Sequence, residues 1–450
     1  MQTLPSYREI LKIALPMIIG SLSETISSVV DTAFMGQLGT IEMDGMGMAN
    51  VFLLLIFMVG WSYGRGSQII ISQNLGAEKY GNIGKAFGNS FLFLIPISIL
   101  LAIYLHYGSE SVLKFIITNP NIHSISLIII QIRALGLPFL MASVVISSLY
   151  TGLGQTKILI LSQGIAAVSN MILNYCLVFG HFGFPELGFE GSAWATVTSE
   201  ILGLLVLIVA LSFDRIKMQA YKIVEGLRLN IEIVKDLNRL ATPMFVLHLF
   251  SIGSWIYFFA LVERMGEKDL AISMVLRQVF MAITIPSFCL ANTANTLVGR
   301  AVGARKIDLI MPLIKKVIWI NYIILISLAL CVFLLRSPLI EIFTKDPFVI
   351  QNITSPLLVL LSAYLFIPAS NVLFVSISAL GNTRTSLFVE SIVIVLYMVY
   401  MYVVVHVLHG NLLVAWSSET FYWLMLLIVG SIYYYKWNWK DQIIYLDKNE

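Results

Sequence analysis

Charged residues and cysteines are both scarce in this 450-residue sequence. Charged residues make up 12% of the chain, whereas a soluble protein carries about 25%. Hydrophobic residues make up 58%, and the mean hydropathy is +0.88. Long apolar runs with so few charges are typical of chains that cross a bilayer repeatedly. The composition therefore predicts an all-α polytopic membrane protein.

The cysteines and the missing motifs exclude several classes of function. Cys176, Cys289 and Cys331 lie far apart in apolar runs, with no metal spacing and no evident pairing. The chain has no Walker A, HExxH or GxSxG pattern, so ATP drive and common hydrolase chemistry are unsupported. The net charge of +3 gives no reason to expect a nucleic-acid partner. We expect no enzymatic activity, no cofactor and no removable signal peptide.

Twelve apolar segments, each long enough to cross a bilayer, can be read along the chain. The tenth is the longest, and we allow that it begins with an interfacial piece. The approximate limits are 12–34, 46–72, 86–107, 123–150, 158–180, 191–213, 238–262, 270–298, 311–335, 348–380, 386–408 and 411–435.

Basic residues are distributed unevenly between the two sides of the membrane. If the N-terminus is cytoplasmic, 20 of the 28 lysines and arginines fall on the cytoplasmic side and five on the other. The remaining three, Arg65, Arg133 and Arg277, lie within spans. By the positive-inside rule, we expect a multi-pass protein of the cell (inner, plasma) membrane with both termini in the cytoplasm.

The two halves of the chain repeat each other at an offset of 227 residues. Each half holds six spans, an even number, so both halves start on the same side and form a parallel repeat. The matching landmarks are Pro16 and Pro243, Gly39 and Gly266, Gly76 and Gly303, and Gly154 and Gly381. The predicted domains are an N-lobe at 1–213, a cytoplasmic linker at 214–237, a C-lobe at 238–436 and a cytoplasmic tail at 437–450.

The first span is the most informative stretch because it carries two acids, Glu24 and Asp31. A carboxylate at the bilayer centre costs about 2.5–3.5 kcal/mol on insertion scales and is usually kept for function. The two acids are seven residues apart and so share one helix face. Pro16 can bend this helix because proline removes a backbone donor. We interpret the span as an ion- or proton-exchange site; alternatively, the acids lie near helix ends or pair with a basic group.

Polar residues form one stripe in the fifth span and another in the sixth. If both stripes meet Asp31, they form a pocket of carboxylate, amide and hydroxyl oxygens, which suits a proton or a small hard cation. The alternative is that these groups only mediate helix packing, as hydroxyls and amides often do in membranes. The fifth-span stripe is Gln163, Asn170 and Asn174, and the sixth-span stripe is Ser192, Thr196 and Glu200.

The second half has a different set of intramembrane charges. Ser251 stands at the position equivalent to Glu24, so the acid of the first helix is missing there. Glu390 and Glu419 lie in the last two spans, and Arg277 could pair with either of them in a purely structural role. We assign to a substrate cavity the residues Gln163, Ser192, Glu200, Arg277, Glu390 and Glu419.

Six sequence segments stand out: VVDTAFMGQLG at 29–39, QNLGAEK at 73–79, LYTGLGQTK at 149–157, NMILN at 170–174, GSAWATV at 191–197 and LVGRAVGARK at 297–306. Together they resemble the signatures of the MATE (multidrug and toxic compound extrusion) family. The resemblance covers nearly the whole chain and implies a V-shaped pair of six-helix lobes that work by alternating access. It also implies export of amphipathic or cationic organic compounds in exchange for protons or sodium ions.

The resemblance also suggests roles for individual residues of the N-lobe. Asp31 stands where the family has its central proton or ion site, and Pro16 stands where the family has a proline at which the helix bends. Asn170 and Thr196 match further site residues of the N-lobe. At Asn174 the sodium-binding archaeal members have a second aspartate, so this departure favours proton coupling while sodium at Asp31 stays the alternative.

Two more departures indicate the branch. Glu24 stands where DinF-like members carry glutamine, and it could replace the missing second charge. Ser251 stands where the NorM-type branch has a C-lobe glutamate. These positions favour a DinF-like mechanism centred on the N-lobe.

We therefore predict a secondary active multidrug antiporter, and the alternatives are a flippase and a protein that does not transport. A lipid-linked oligosaccharide flippase of the same superfamily would need a cationic cavity, yet only three basic residues lie within spans. A sensor or scaffold that does not transport would have no use for buried acids. The partners we expect are small amphipathic organic molecules and the lipid bilayer, and we expect a monomer.

Overall fold

The computed structural model of this chain describes residues 3–344 and 346–446, and within them every regular element is a helix. The helices of the first half are α1 Tyr7–Leu38, α2 Thr40–Gly76, α3 Tyr80–Ile116, α4 Pro120–Gly152, α5 Lys157–Phe179, α6 Gly188–Phe213 and α7 Arg215–Ala220. Those of the second half are α8 Ile231–Met265, α9 Glu267–Gly303, α10 Ile310–Leu334, α11 Arg336–Phe343, α12 Pro347–Asn352, α13 Thr354–Ala363, α14 Ile367–Ala379, α15 Thr383–Tyr402 and α16 Leu412–Lys436.

The number of helices able to cross a membrane matches the prediction of twelve spans. Eleven helices in the described residues are long and apolar enough, and α13 and α14 make a twelfth if they count as one span bent by 44°. The predicted tenth span, 348–380, is therefore a short helix, α12, followed by this bent pair. The chain is a multi-pass membrane protein.

The bend between α13 and α14 follows from a proline and is compensated by polar side chains. Pro368 lies in the first turn of α14 and has no N–H to donate to the preceding turn. Two carbonyls near the bend find side-chain donors, because Tyr322 Oη donates to Leu365 O at 2.9 Å and Asn321 Nδ2 donates to Pro368 O at 3.2 Å. Broken helices persist at membrane depth only with such compensation.

The predicted repeat is visible in the backbone. The helix breaks after α2 and α9 are equivalent, since α2 ends at Gly76 and α9 at Gly303. Two residues after each break the chain turns left-handed, at Glu78 with a φ of 59° and at Arg305 with a φ of 58°. The two halves therefore share loop conformations as well as helix order.

The chain divides into two compact units at corresponding positions of α1 and α8. One unit contains residues 15–241, and the other contains residues 3–14 and the described residues from 242 onward. Pro16 and Pro243 are each the second residue after a division point. The lobe limits predicted from sequence remain predictions, and residues 447–450 of the predicted tail lie outside the described residues.

The predicted linker is only partly irregular, because α7 lies within it and α8 already begins at Ile231. The turn that follows α7 packs against the end of α3 that is predicted to be cytoplasmic. The two backbones approach closely there because Gly84 and Gly88 have no side chains. A Cβ on Gly84 would collide with the carbonyl of Lys222, and a Cβ on Gly88 would collide with that of Gly226. Asn89 fastens the same turn, since its Nδ2 donates to Arg228 O at 3.1 Å.

Candidate ion-coupling site

Helices α1 and α5 lie side by side and parallel in the N-terminal unit, in one constant register. Three contacts join residues that are 143 positions apart: Gly20 with Gln163, Ser27 with Asn170 and Asp31 with Asn174. The steps of seven and four residues between these pairs keep them on one face of each helix. This register brings the fifth-span stripe against the first span.

Asp31 makes the last of these three contacts along α1 and is buried, with 7% of its surface exposed. Asn174 Nδ2 donates to Asp31 Oδ1 at 2.7 Å and also to the carbonyl of Asn170 at 3.1 Å. With its amide nitrogen directed at the carboxylate, Asn174 leaves its own Oδ1 buried and without a hydrogen-bond partner. That oxygen is a buried hydrogen-bond acceptor on the same side chain that contacts the carboxylate.

The sixth-span stripe joins the pocket through Asn170. Ser27 Oγ donates to Asn170 Oδ1 at 2.7 Å, and Asn170 Nδ2 donates to Thr196 Oγ1 at 3.4 Å. Thr196 in turn donates to the carbonyl of Ser192 at 3.0 Å. The structure thus brings Asp31, Asn170, Asn174, Thr196 and Ser192 into one polar cluster across α1, α5 and α6.

Glu24 does not belong to this hydrogen-bonded cluster. Its side chain is exposed, whereas Asp31 two turns further on is buried. Among the described residues no hydrogen bond or ion pair holds the Glu24 carboxylate. Glu24 and Asp31 lie on one face of α1, as their spacing predicts. The residues packed against α1 change along its length, and they cover Asp31 but not Glu24.

A partly buried ion pair that the sequence did not predict lies beside the cluster. Arg133 on α4 pairs with Glu200 on α6 at 3.4 Å, and the two side chains are 14% and 21% exposed. Arg133 also donates to Asn50 Oδ1 on α2 at 3.0 Å, and its guanidinium lies 5.3 Å above the Phe57 ring. The sequence located Arg133 within a span, but no spacing connects it to Glu200.

The charges of the N-terminal unit form one neighbourhood. Glu200 interacts electrostatically with Arg133, Glu24 and Asp31, and Asp31 also interacts with Arg133. Glu200 and Asp31 therefore share one guanidinium, and Glu24 is a third carboxylate near Glu200. With every group ionised the neighbourhood is negative, so it favours exchangeable protons or cations.

The C-terminal unit has an acidic cluster of its own. Glu390 is 5% exposed, and its Oε1 accepts hydrogen bonds from Ser251 Oγ and Tyr422 Oη, both at 2.9 Å. Its Oε2 is buried without a partner. Glu419 is 4% exposed and accepts from Tyr397 Oη at 3.4 Å. Helix α8 thus has no acid at position 251, but the Ser251 hydroxyl contacts the Glu390 carboxylate of α15.

Arg277 forms neither of the ion pairs considered from the sequence. Its guanidinium lies over two aromatic rings, 6.0 Å from the centre of Trp255 and 5.5 Å from that of Phe259. No described carboxylate lies within ion-pair distance of it. The prediction of an Arg277 pair with Glu390 or Glu419 was wrong, because the hydrogen bonds that these acids accept come from hydroxyl groups.

No group of three or more histidine, cysteine, aspartate or glutamate side chains in the described parts of the chain could hold a metal ion. A sodium ion at Asp31 would therefore need amide, hydroxyl and carbonyl oxygens beside a single carboxylate.

Comparison with known proteins places these sites in a family context. Residues 16–176 and 243–403 both match the MatE family model, and the two matches are 227 residues apart. The chain is 25% identical to "Probable multidrug resistance protein YoeA" of Bacillus subtilis, over 82% of this chain and 80% of that one. It is 24% identical to "Probable multidrug resistance protein NorM" of Thermotoga maritima, over 84% and 80%.

Solved structures show the same fold. An outward-facing multidrug resistance MATE family transporter of the MOP superfamily matches with a TM-score of 0.88 at 17% identity, covering 98% of this chain and 96% of the other. A MOP superfamily transporter from Pyrococcus furiosus, described as having a binding pocket of reverse polarity, matches with a TM-score of 0.84 at 17% identity. That match covers the same shares of the two chains.

Proposed function

Because the chain belongs to the MatE family, we propose that it is a secondary active antiporter that exports amphipathic or cationic organic compounds in exchange for protons. The observation that carries the proton proposal is the buried Asp31 carboxylate, held by Asn174 beside an unpartnered amide oxygen. The multidrug names of two relatives support the substrate class.

The proposed mechanism couples two ligands through one pocket. Protonation of Asp31 removes a negative charge from a neighbourhood of three carboxylates and weakens its hold on a cationic substrate. The hydrogen bond from Asn174 then weakens, because a neutral carboxyl is a poorer acceptor than a carboxylate, and α1 bends at Pro16. Export follows from alternating access if proton and substrate bind the two facing states with different affinities.

We also propose the branch, the orientation in the membrane and the oligomeric state. The relatives carry both YoeA and NorM names, so the preference for a DinF-like mechanism depends on Ser251, Glu24 and Asn174. The cytoplasmic termini and the plasma membrane depend on the distribution of basic residues, and the monomer is part of the same proposal.

A second candidate coupling site is the Glu390 cluster. Its buried, unpartnered Oε2 is the observation that favours it. If this cluster takes part, the antiporter has one acidic site in each unit. A comparison of Asp31→Asn with Glu390→Gln in an efflux assay separates the two possibilities.

The test is dye efflux from vesicles under an imposed gradient. Purified native protein, Asp31→Asn, Glu390→Gln and the control Asp44→Asn, which changes an exposed acid on α2, are reconstituted and loaded with ethidium. We expect a proton gradient to drive efflux by the native and control proteins. Asp31→Asn should lose at least about 90% of the gradient-driven rate, because the amide cannot exchange a proton.

Three outcomes would contradict parts of the proposal. Efflux driven by sodium alone would overturn proton coupling. Normal efflux by Asp31→Asn together with loss in Glu390→Gln would move the site to the C-terminal unit. No dye movement by the native protein under either gradient would overturn multidrug export itself and favour the flippase alternative.

A further inference from the structure

Arg277 is a charged side chain deep in α9, in the C-terminal unit. It lies ten residues after the first residue of the helix, Glu267, which is about 15 Å along the axis. That distance is about half of the hydrocarbon thickness of a bilayer. Its guanidinium lies over Trp255 and Phe259, whose own rings stack at 5.8 Å.

The guanidinium has aromatic neighbours but no hydrogen-bond acceptor. No hydrogen bond or ion pair to it exists in the part of the chain that the structure describes, although its five N–H groups are all donors. Serine and tyrosine hydroxyls already hold Glu390 and Glu419. An arginine at membrane depth must face water or a binding partner. The N–H groups of Arg277 that the rings leave uncovered therefore indicate a hydrated surface or a ligand-binding site.

The helix surface around Arg277 is suited to an amphipathic molecule. Met274 and Met281 lie on either side of it along α9 and are 45% and 48% exposed. Gln278, the next residue, is exposed too. Methionine side chains adapt to apolar ligands of different shapes, and the arginine fork matches the two oxygens of a carboxylate or phosphate.

We propose that Arg277, set on the Trp255 and Phe259 rings, binds the carboxylate or phosphate end of amphipathic substrates. The inference rests on the proposed export function and adds to it a binding subsite for the anionic group of a substrate. The rings fix the plane of the guanidinium, and the exposed methionines contact the apolar part of the molecule.

Two dyes that differ in one group test this subsite. Rhodamine 110 has a free carboxyl group, and rhodamine 123 is its methyl ester. Efflux of each is measured in vesicles with native protein, Arg277→Gln, Arg277→Lys and the control Arg264→Gln, which removes an exposed arginine near the end of α8. Each protein is assayed in phosphatidylcholine alone and with added phosphatidylglycerol.

We expect native protein to export both dyes in both lipids. Arg277→Gln should lower rhodamine 110 efflux about tenfold, since a hydrogen bond to a charged group is worth about 1.4 kcal/mol or more. It should leave rhodamine 123 efflux within about twofold of native, and Arg277→Lys should fall between on rhodamine 110, because lysine keeps the charge but loses the fork.

Other results overturn the inference in distinguishable ways. Equal loss of both dyes in Arg277→Gln means that the arginine is structural. Dependence of both dyes on phosphatidylglycerol, abolished in Arg277→Gln, means that the arginine binds a lipid phosphate. A native protein that exports rhodamine 123 but not rhodamine 110 has no such subsite, whereas one that exports neither overturns the proposed function.

Discussion

At the scale of single residues, Arg133 sets the charge balance of the N-terminal unit. It pairs with Glu200 and is held by Asn50, so its position is fixed from α2, α4 and α6 at once. An ion pair with one-seventh to one-fifth of its surface exposed is far less screened than a surface pair. Removing one partner leaves the other charge buried.

The Arg133 pair gives a stability prediction. Arg133→Gln should lower the stability of the purified protein by about 1–3 kcal/mol, because the Glu200 carboxylate loses its counter-charge. Arg133→Gln with Glu200→Gln should recover most of that loss. The measurement is thermal unfolding in detergent, read out by tryptophan fluorescence.

A matched surface pair is the control for this cycle. Lys114 and Glu110 form an i,i+4 pair at 2.6 Å, with side chains 65% and 51% exposed. Lys114→Gln should change stability by less than about 0.5 kcal/mol. A double mutant that is no more stable than Arg133→Gln alone would show that the pair does not explain the loss.

Some residues of the site were predictable from the sequence, and others were not. The stripes on α5 and α6 were predicted from spacing alone, and the structure joins Asn170 and Asn174 to α1 and Thr196 to Asn170. The Arg133 pair was not predictable, because its partner is 67 residues away at no helical spacing. Arg277 was given wrong partners, since sequence does not show which hydroxyls reach Glu390 and Glu419.

At the scale of elements, the boundaries between the two compact units fall inside α1 and α8. Each has a proline as the second residue after the division point, Pro16 in α1 and Pro243 in α8. Proline removes one backbone hydrogen bond of a helix and is the commonest cause of sharp bending. We therefore expect α1 and α8 to bend at these prolines.

Replacing these prolines should stiffen the helices and slow transport. Pro16→Ala restores an N–H at that position, and Pro243→Ala does the same in α8. Each should lower ethidium efflux several-fold, on the order of 5–20, while the melting temperature stays equal or rises. Efflux and unfolding are measured on the same preparations.

Pro138→Ala is the matched control for this experiment. Pro138 also lies inside a long helix, α4, but away from the division of the chain. It should leave efflux within about twofold of native if only the prolines at the division serve as hinges. An equal loss in all three variants would point to a general effect of helix proline rather than to hinges.

At the scale of the whole molecule, two six-span halves are joined by one linker. The turn after α7 packs on α3 at two glycines and is fastened by Asn89, which accepts from Asn230 N at 2.6 Å. Asn230 then caps the first turn of α8, accepting from Glu232 N at 2.9 Å. The start of the second half is thus anchored on the first half's own helix.

Adding a methyl group under the linker should loosen this anchor. Gly84→Ala or Gly88→Ala places a Cβ against backbone carbonyls that cannot rotate away. Overpacking of this kind costs about 1–3 kcal/mol, so the melting temperature should fall. It is measured by thermal unfolding, with limited proteolysis at the linker as a second readout.

Gly81→Ala provides the comparison, because a Cβ there would meet only the Lys222 side chain at an ordinary 3.5 Å. It should leave both readouts near native. If Gly84→Ala and Gly88→Ala melt like Gly81→Ala, the linker does not depend on close approach to α3.

The sequence by itself determined the membrane class, the twelve spans, the 227-residue repeat and the polar stripes. Each of these depends on composition or on the period of one helix, which are local quantities. Only the tertiary structure decided that α1 and α5 meet in a register of 143 residues, that Asp31 is covered while Glu24 is exposed, and that Arg133 pairs with Glu200. Those facts depend on which helices are neighbours and at what depth. A helical period gives the direction of a side chain but not the identity of what lies opposite.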